Sequence, residues 1–241
     1  MTNGERASEP LVIAHRGASE YRPENTLPAY QLAVEQRADM IEIDLHRTRD
    51  GAVVITHDER LEGLGGTGEI ADATLEEVRA LDAGAGECVP TLDEVLDGFG
   101  KRIPFNLEIK RGTRSTYEGL EQIALDALHQ RGLLARTLFS SFFDPVLREL
   151  RRLSADARLA ALVSPRKPER AIERALEVGA EAVNPHLVLA TQEFVDEAHA
   201  AGLAVYVYTV DDEDWMVKLL DRGVDGLFTN RPDRLRAIRD G

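Results

Sequence analysis

One cysteine, Cys88, in 241 residues excludes an internal disulfide and a zinc site built on thiolates. No apolar run approaches the roughly 18 residues that cross a bilayer, and the first ten residues, MTNGERASEP, lack the apolar stretch of a secretory leader. Positive charge is also in short supply. The chain has 29 Lys and Arg against 43 Asp and Glu, a net charge of −14, which argues against nucleic acid or stable membrane association. No Gly-x-Ser-x-Gly surrounds Ser140-Ser141, so a serine-hydrolase reading fails. The glycines at 63–68 lack the Gly-Lys-Ser/Thr of a P-loop. These absences leave the expectation of a cytoplasmic enzyme with a small-molecule substrate and a flexible N-terminal tail over 1–10. A phosphorylated substrate stays admissible, because a local cation can reverse the sign inside one cleft.

What is present is a rhythm. Apolar runs at 11–14, 40–45, 105–109, 137–140, 158–163, 181–184, 204–209 and 226–229 alternate with helical patterns such as 25–37, 117–130, 144–153, 168–178, 191–201 and 211–222. Gly132, Gly179, Gly202 and Gly223 stop helices ahead of the next strand. Strands separated by helices imply parallel βαβ units with right-handed crossovers. Eight of them in a chain near the typical barrel length of about 250 residues predict an α/β fold, a closed (β/α)8 TIM barrel over 11–241.

One segment departs from that rhythm. GAVVITHD (51–58) follows the second strand after a turn containing Asp50-Gly51, a hairpin signal. It reads as an arm that folds back and returns His57 to the barrel mouth. Residues 59–103, with weak helical patterns at 74–80 and 91–97, then read as a small insertion on the catalytic face.

Reactive groups in such barrels lie at the C-terminal strand ends, and here those ends are polar: His15-Arg16, Glu42 with Asp44, Glu108 with Lys110, Ser140-Ser141, Asn184, Tyr208 and Asn230. Glu42 and Asp44, two apart on a strand, face the same side. With Glu108 they form an all-oxygen donor set suited to one hard divalent cation, Mg²⁺ or Ca²⁺. Each carboxylate taken alone could equally be solvated charge or a partner for Arg16 and Lys110. His15 and His57 are candidates for acid–base work, since imidazole titrates near neutrality. Arg16 and Lys110 would bring cations to a phosphate, and Phe142 and Tyr208 either wall the pocket or simply pack. His46 is expected at the surface, His129 and His199 as structural residues on helices, and His186 is open.

The motifs AHRGASEYRPENT (14–26), EIDLHRTRDG (42–51), VVITHD (53–58), NLEIK (106–110), FSSF (139–142), VYTV (207–210) and DGLFTNRP (225–232) resemble the glycerophosphodiester phosphodiesterase family, in the family's order and over nearly the whole chain. The resemblance implies a barrel with an insertion after His57-Asp58. It implies a divalent metal on Glu42, Asp44 and Glu108, an acid–base pair of His15 and His57, and phosphate contacts from Arg16 and Lys110. The reaction implied is hydrolysis of deacylated phospholipid head groups to sn-glycerol 3-phosphate and an alcohol. In that route the glycerol 2-hydroxyl attacks phosphorus, and water then opens the cyclic phosphate. One departure is Tyr208-Thr209-Val210-Asp211, where the family commonly carries Trp-Thr-Val-Asn; Asp211 is expected to cap the following helix.

Two other readings keep the barrel. A lysophospholipase D-like or phosphoinositide-cleaving enzyme would need an apolar entrance, which ERLEGLGGTGEIADA (59–73) supplies poorly. A binding-only, catalytically inactive phosphate barrel would show a lost histidine or carboxylate, and none is lost. The metal, the alcohol and whether the chain forms a homodimer stay open.

Overall fold

A computed structural model of the chain describes residues 9–112 and 117–241. The expected tail, 1–10, lies outside the described residues as far as residue 8.

The strands are β1 (Leu11–His15), β2 (Met40–Arg47), β3 (Val53–Ile55), β4 (Phe105–Ile109), β5 (Thr137–Ser141), β6 (Arg158–Val163), β7 (Ala182–Pro185), β8 (Ala204–Val207) and β9 (Gly226–Thr229). All but β3 run parallel in the circular order β1, β2, β4 through β9, and β9 pairs back onto β1. The predicted (β/α)8 barrel is therefore the fold. The segment after Asp50-Gly51 is the predicted arm: β3 lies antiparallel on the outer part of β2, with Leu45 opposite Ile55 and Arg47 opposite Val53. β2 runs two residues beyond its predicted end because that pairing gives His46 and Arg47 a partner.

The outer ring comprises α1 (Leu27–Glu35), α3 (Leu92–Phe99), α4 (Leu120–Arg131), α5 (Asp144–Leu153), α6 (Ala171–Glu177), α7 (Gln192–Ala200), α8 (Glu213–Asp221) and α9 (Pro232–Asp240), while the short α2 (Leu75–Arg79) lies in the segment between β3 and β4. Several begin where a side chain takes up an orphan N–H. Thr26, Thr191 and Asp212 cap α1, α7 and α8, while Thr74 and Thr91 open α2 and α3 with capping boxes to Glu77 and Glu94. These caps start α1 and α8 two residues later than the apolar periodicity suggests.

Alternation along the strands sorts their side chains into two environments. Val12, Ile41, Ile43, Leu107, Phe139, Val183 and Leu227 join the large core shared with the helices. Ile13, Met40, Leu138, Ala160, Ala182, Tyr206 and Phe228 form a second cluster made of strand residues, the plug inside the barrel. One step of two residues up the same inward face leads to His15, Glu42, Ser140, Asn184, Tyr208 and Asn230. The site stands directly on that apolar floor.

Between β3 and β4, a smaller core of Val54, Leu61, Ile70, Ala73, Val78 and Val89 holds two short 3₁₀ turns, Leu61–Leu64 and Ile70–Asp72, against the arm. α3 instead buries Leu92, Val95, Leu96 and Phe99 in the main core, as a ring helix does.

Candidate active site

Strands β2 and β4 stand side by side with Glu42 opposite Asn106 and Asp44 opposite Glu108. Their carboxylates converge: one oxygen from each of Glu42, Asp44 and Glu108 lies within 4.8 Å of the others. Two cations meet them. Lys110 Nζ sits 2.9 Å from Asp44 and 2.7 Å from Glu108, and Arg16 Nε 3.2 Å from Asp44. Asn25 Nδ2 donates to Asp44 at 2.8 Å.

Three buried carboxylates against two cations leave an excess of negative charge, and it falls on Glu42. Its Oε2 accepts the Arg16 backbone N–H at 3.1 Å, while its buried Oε1 has no hydrogen-bond donor. Burial raises the Glu42 carboxyl well above the ordinary range, and repulsion from Asp44 and Glu108 adds to it. Burial also raises Glu108, with Lys110 opposing. For Asp44 the same burial is outweighed by Lys110 and Arg16, which hold it well below the usual carboxylate range. A donor-poor carboxylate oxygen facing two more carboxylates fits a hard divalent cation with oxygen ligands.

Why Arg16-Gly17 turns where it does is a matter of space. Gly17 has φ +86°, and a Cβ there would lie 2.7 Å from the backbone carbon of Ala29. This close approach of β1's end to α1 lets Arg16 fold back over Glu42, with its guanidinium shared between Asp44 and Glu24, the latter at 2.8 Å.

The two histidines arrive on different supports. His15 closes β1, and its Nδ1 lies 2.8 Å from Asn230 Oδ1. Burial, followed by the nearby Arg16 charge, lowers its pKa to about 3, so the ring is neutral. His57 rides the arm beyond β3, with Nδ1 2.8 Å from the Asp58 carboxylate. Burial, Arg16 and Lys110 lower its pKa as well. A cavity of about 540 Å³ opens beside it, lined by His46, His57, Lys110, Arg111 and Phe143 among others. Phe142 and His186 both meet Tyr208 edge to face, at centroid distances of 5.8 and 5.6 Å. The Tyr208 hydroxyl donates to the Val163 carbonyl at 3.0 Å.

Two expectations need correction. His46 is not at the surface: it is 1% exposed. Its Nδ1 lies 2.7 Å from the Tyr117 hydroxyl and its Nε2 3.2 Å from the His57 carbonyl oxygen. The antiparallel cover of β3 buries a position that otherwise overhangs the barrel. Nor does Asp211 cap α8. That cap is Asp212, which accepts from the Trp215 N–H at 3.0 Å, while Asp211 binds Asn230. Two adjacent aspartates before a helix offer a choice that sequence spacing does not resolve. Asn25, Tyr117 and Asp211 went unassigned as site residues because their partners are distant in sequence. His186 accepts the Val188 N–H at 3.3 Å besides meeting Tyr208.

The family model for the glycerophosphoryl diester phosphodiesterase family matches residues 15–234. The chain belongs to that family. It is 36% identical to the glycerophosphodiester phosphodiesterase of Caldanaerobacter subterraneus, over 96% of this chain and 98% of that one. It is 35% identical to the Bacillus subtilis glycerophosphodiester phosphodiesterase, over 96% and 87%. Among solved structures, an Oleispira antarctica phosphodiesterase in complex with the product sn-glycerol-3-phosphate superposes with a TM-score of 0.85 at 33% identity, covering 96% of this chain and 97% of that one. As a family member it is a phosphoric diester hydrolase, with the acidic cluster as its candidate metal centre. Among the described residues, no helix is long and apolar enough to cross a membrane.

Proposed function

We propose that the protein is a divalent-metal-dependent glycerophosphodiesterase that releases sn-glycerol 3-phosphate and an alcohol from deacylated phospholipid head groups, in the cytoplasm. The observation carrying this reading is the donor-poor oxygen of Glu42 within a three-carboxylate cluster that two lysine and arginine cations leave under-compensated. The product held by the Oleispira relative supports the substrate class.

Glu42, Asp44 and Glu108 would hold the ion, Mg²⁺ or Ca²⁺. A bound cation of this kind supplies Lewis acidity, stabilising charge that develops on phosphoryl oxygens. Arg16 and Lys110, already beside the cluster, add their positive charge toward the phosphate. Burial lowers the His15 pKa to about 3 and pushes that of His57 below the ordinary imidazole range, which favours the neutral ring that can accept a proton. One histidine takes the proton of the attacking glycerol 2-hydroxyl, and the other, having first taken a proton from solvent, donates it to the leaving alcohol; water then opens the cyclic phosphate with the roles reversed, which returns each ring to its starting state. Phe142 and Tyr208 offer an apolar wall to the glycerol carbons.

The test is release of glycerol 3-phosphate from glycerophosphocholine by the purified protein. It is run with EDTA, Mg²⁺ or Ca²⁺, beside Glu42→Ala and His57→Ala. Metal-dependent release abolished by both substitutions is expected. Release that survives EDTA and Glu42→Ala would overturn the metal-dependent reading.

A further inference from the structure

A glycerophosphodiester has one constant half and one variable half. The glycerol half is uncharged, so selection among substrates falls on whatever the alcohol half meets. In-line displacement at phosphorus puts the attacking hydroxyl and the leaving alcohol on opposite sides. With the glycerol carbons against Phe142 and Tyr208, the alcohol takes the arm side, where the cavity of about 540 Å³ opens beside His57.

The charged side chains lining that cavity are committed, with one exception. Asp58 is held by His57 at 2.8 Å, and Glu59 carries an interaction of its own. Lys110 bridges Asp44 and Glu108. Arg111, next along the chain, makes no hydrogen bond or ion pair among the described residues. Its guanidinium carbon instead lies 5.0 Å from the centre of the Phe143 ring. Glu121 on α4 feels the Arg111 charge without bonding it.

We infer that Arg111 is a specificity-determining residue that selects diesters whose alcohol half bears an anionic group, a carboxylate above all. The inference rests on the phosphodiesterase reading of the site and names its preferred substrates. A guanidinium resting over an aromatic face keeps its N–H donors free and is already partly ordered before it binds anything. Those donors match a carboxylate two at a time. Phe143 also keeps the cation at the cavity wall, on the side the leaving alcohol takes. A serine head group suits the place: its carboxylate meets Arg111, and the acidic Asp58 and Glu59 favour the ammonium beside it. Ethanolamine is serine without the carboxylate, so the pair isolates what Arg111 reads.

The experiment measures kcat/KM for glycerophosphoserine and glycerophosphoethanolamine, with Mg²⁺ or Ca²⁺, in wild type, Arg111→Met and Arg111→Glu. The readout is the serine-to-ethanolamine ratio within each protein, from which any general loss of folding or turnover cancels. Expected are a ratio of about ten in wild type, near one in Arg111→Met and below one in Arg111→Glu. Arg111→Gln stands in if Arg111→Met fails to fold. A wild-type ratio at or below one overturns the inference, and so does a ratio that Arg111→Met leaves at the wild-type value; turnover itself then still upholds the functional reading. No turnover of either diester by wild type overturns that reading, and the inference falls with it.

Discussion

Asn25 donates to Asp44 at 2.8 Å from a backbone held at φ +56°, while its own Oδ1 accepts the Tyr30 hydroxyl at 3.1 Å. The left-handed backbone and the amide contribute separately. Asn25→Gly removes the bond to Asp44 but keeps an easy backbone, and should cost about 1–2 kcal/mol. Asn25→Ala adds the penalty of a left-handed Cβ, roughly 1 kcal/mol more. Urea denaturation of both variants checks this, and equal losses would show that the backbone position carries no strain.

Glu42 stands in a stability–function conflict. Glu42→Gln removes a buried, under-compensated charge, so the metal-free protein should gain on the order of 1 kcal/mol, a Tm rise of about 2–4 °C at this size. Mg²⁺ should raise the Tm of the wild type and leave that of Glu42→Gln unmoved. Calorimetry with and without the ion decides it; a metal-free variant that melts lower than wild type contradicts the account.

Gly17→Ala should be among the most damaging single substitutions in the chain, because a Cβ at 2.7 Å from the Ala29 backbone has nowhere to go. A loss above about 3 kcal/mol is expected from overpacking plus the unfavourable φ. Soluble expression and urea midpoints would register it, and near-wild-type stability would mean that α1 shifts freely.

His46 and Tyr117 fasten the arm. If Nε2 of His46 donates to the His57 carbonyl, Nδ1 must accept from Tyr117, so Tyr117→Phe strands a buried acceptor at a cost of about 1–3 kcal/mol. Turnover should fall while the affinity for Mg²⁺, measured by titration calorimetry, stays put, because the carboxylates sit on barrel staves that the arm does not carry. Parallel loss of metal affinity would refute that separation.

Much of the site could be read from local pattern alone. Glu42 and Asp44 share a face by strand periodicity, and a polar residue two steps above an apolar one marks a mouth position at His15, Ser140 and Asn230. What escaped depends on long-range company. His46 is buried only because β3 folds over it, and Tyr117 comes from the far side of β4. Asp211 and Asp212 are the same residue type in succession. Only the closure of β9 on β1 gives one of them Asn230 as a neighbour and leaves the other to the helix.

The apolar plug of Ile13, Met40, Leu138, Ala160, Ala182, Tyr206 and Phe228 has a kinetic meaning. It makes the barrel a blind well, so whatever reaches Glu42 comes and goes by the mouth alone. A cation held by Glu42, Asp44 and Glu108 would have to enter before a diester covering it, and would exchange only after the phosphate product had left. Any order of addition and release would then follow from the closed floor of the barrel.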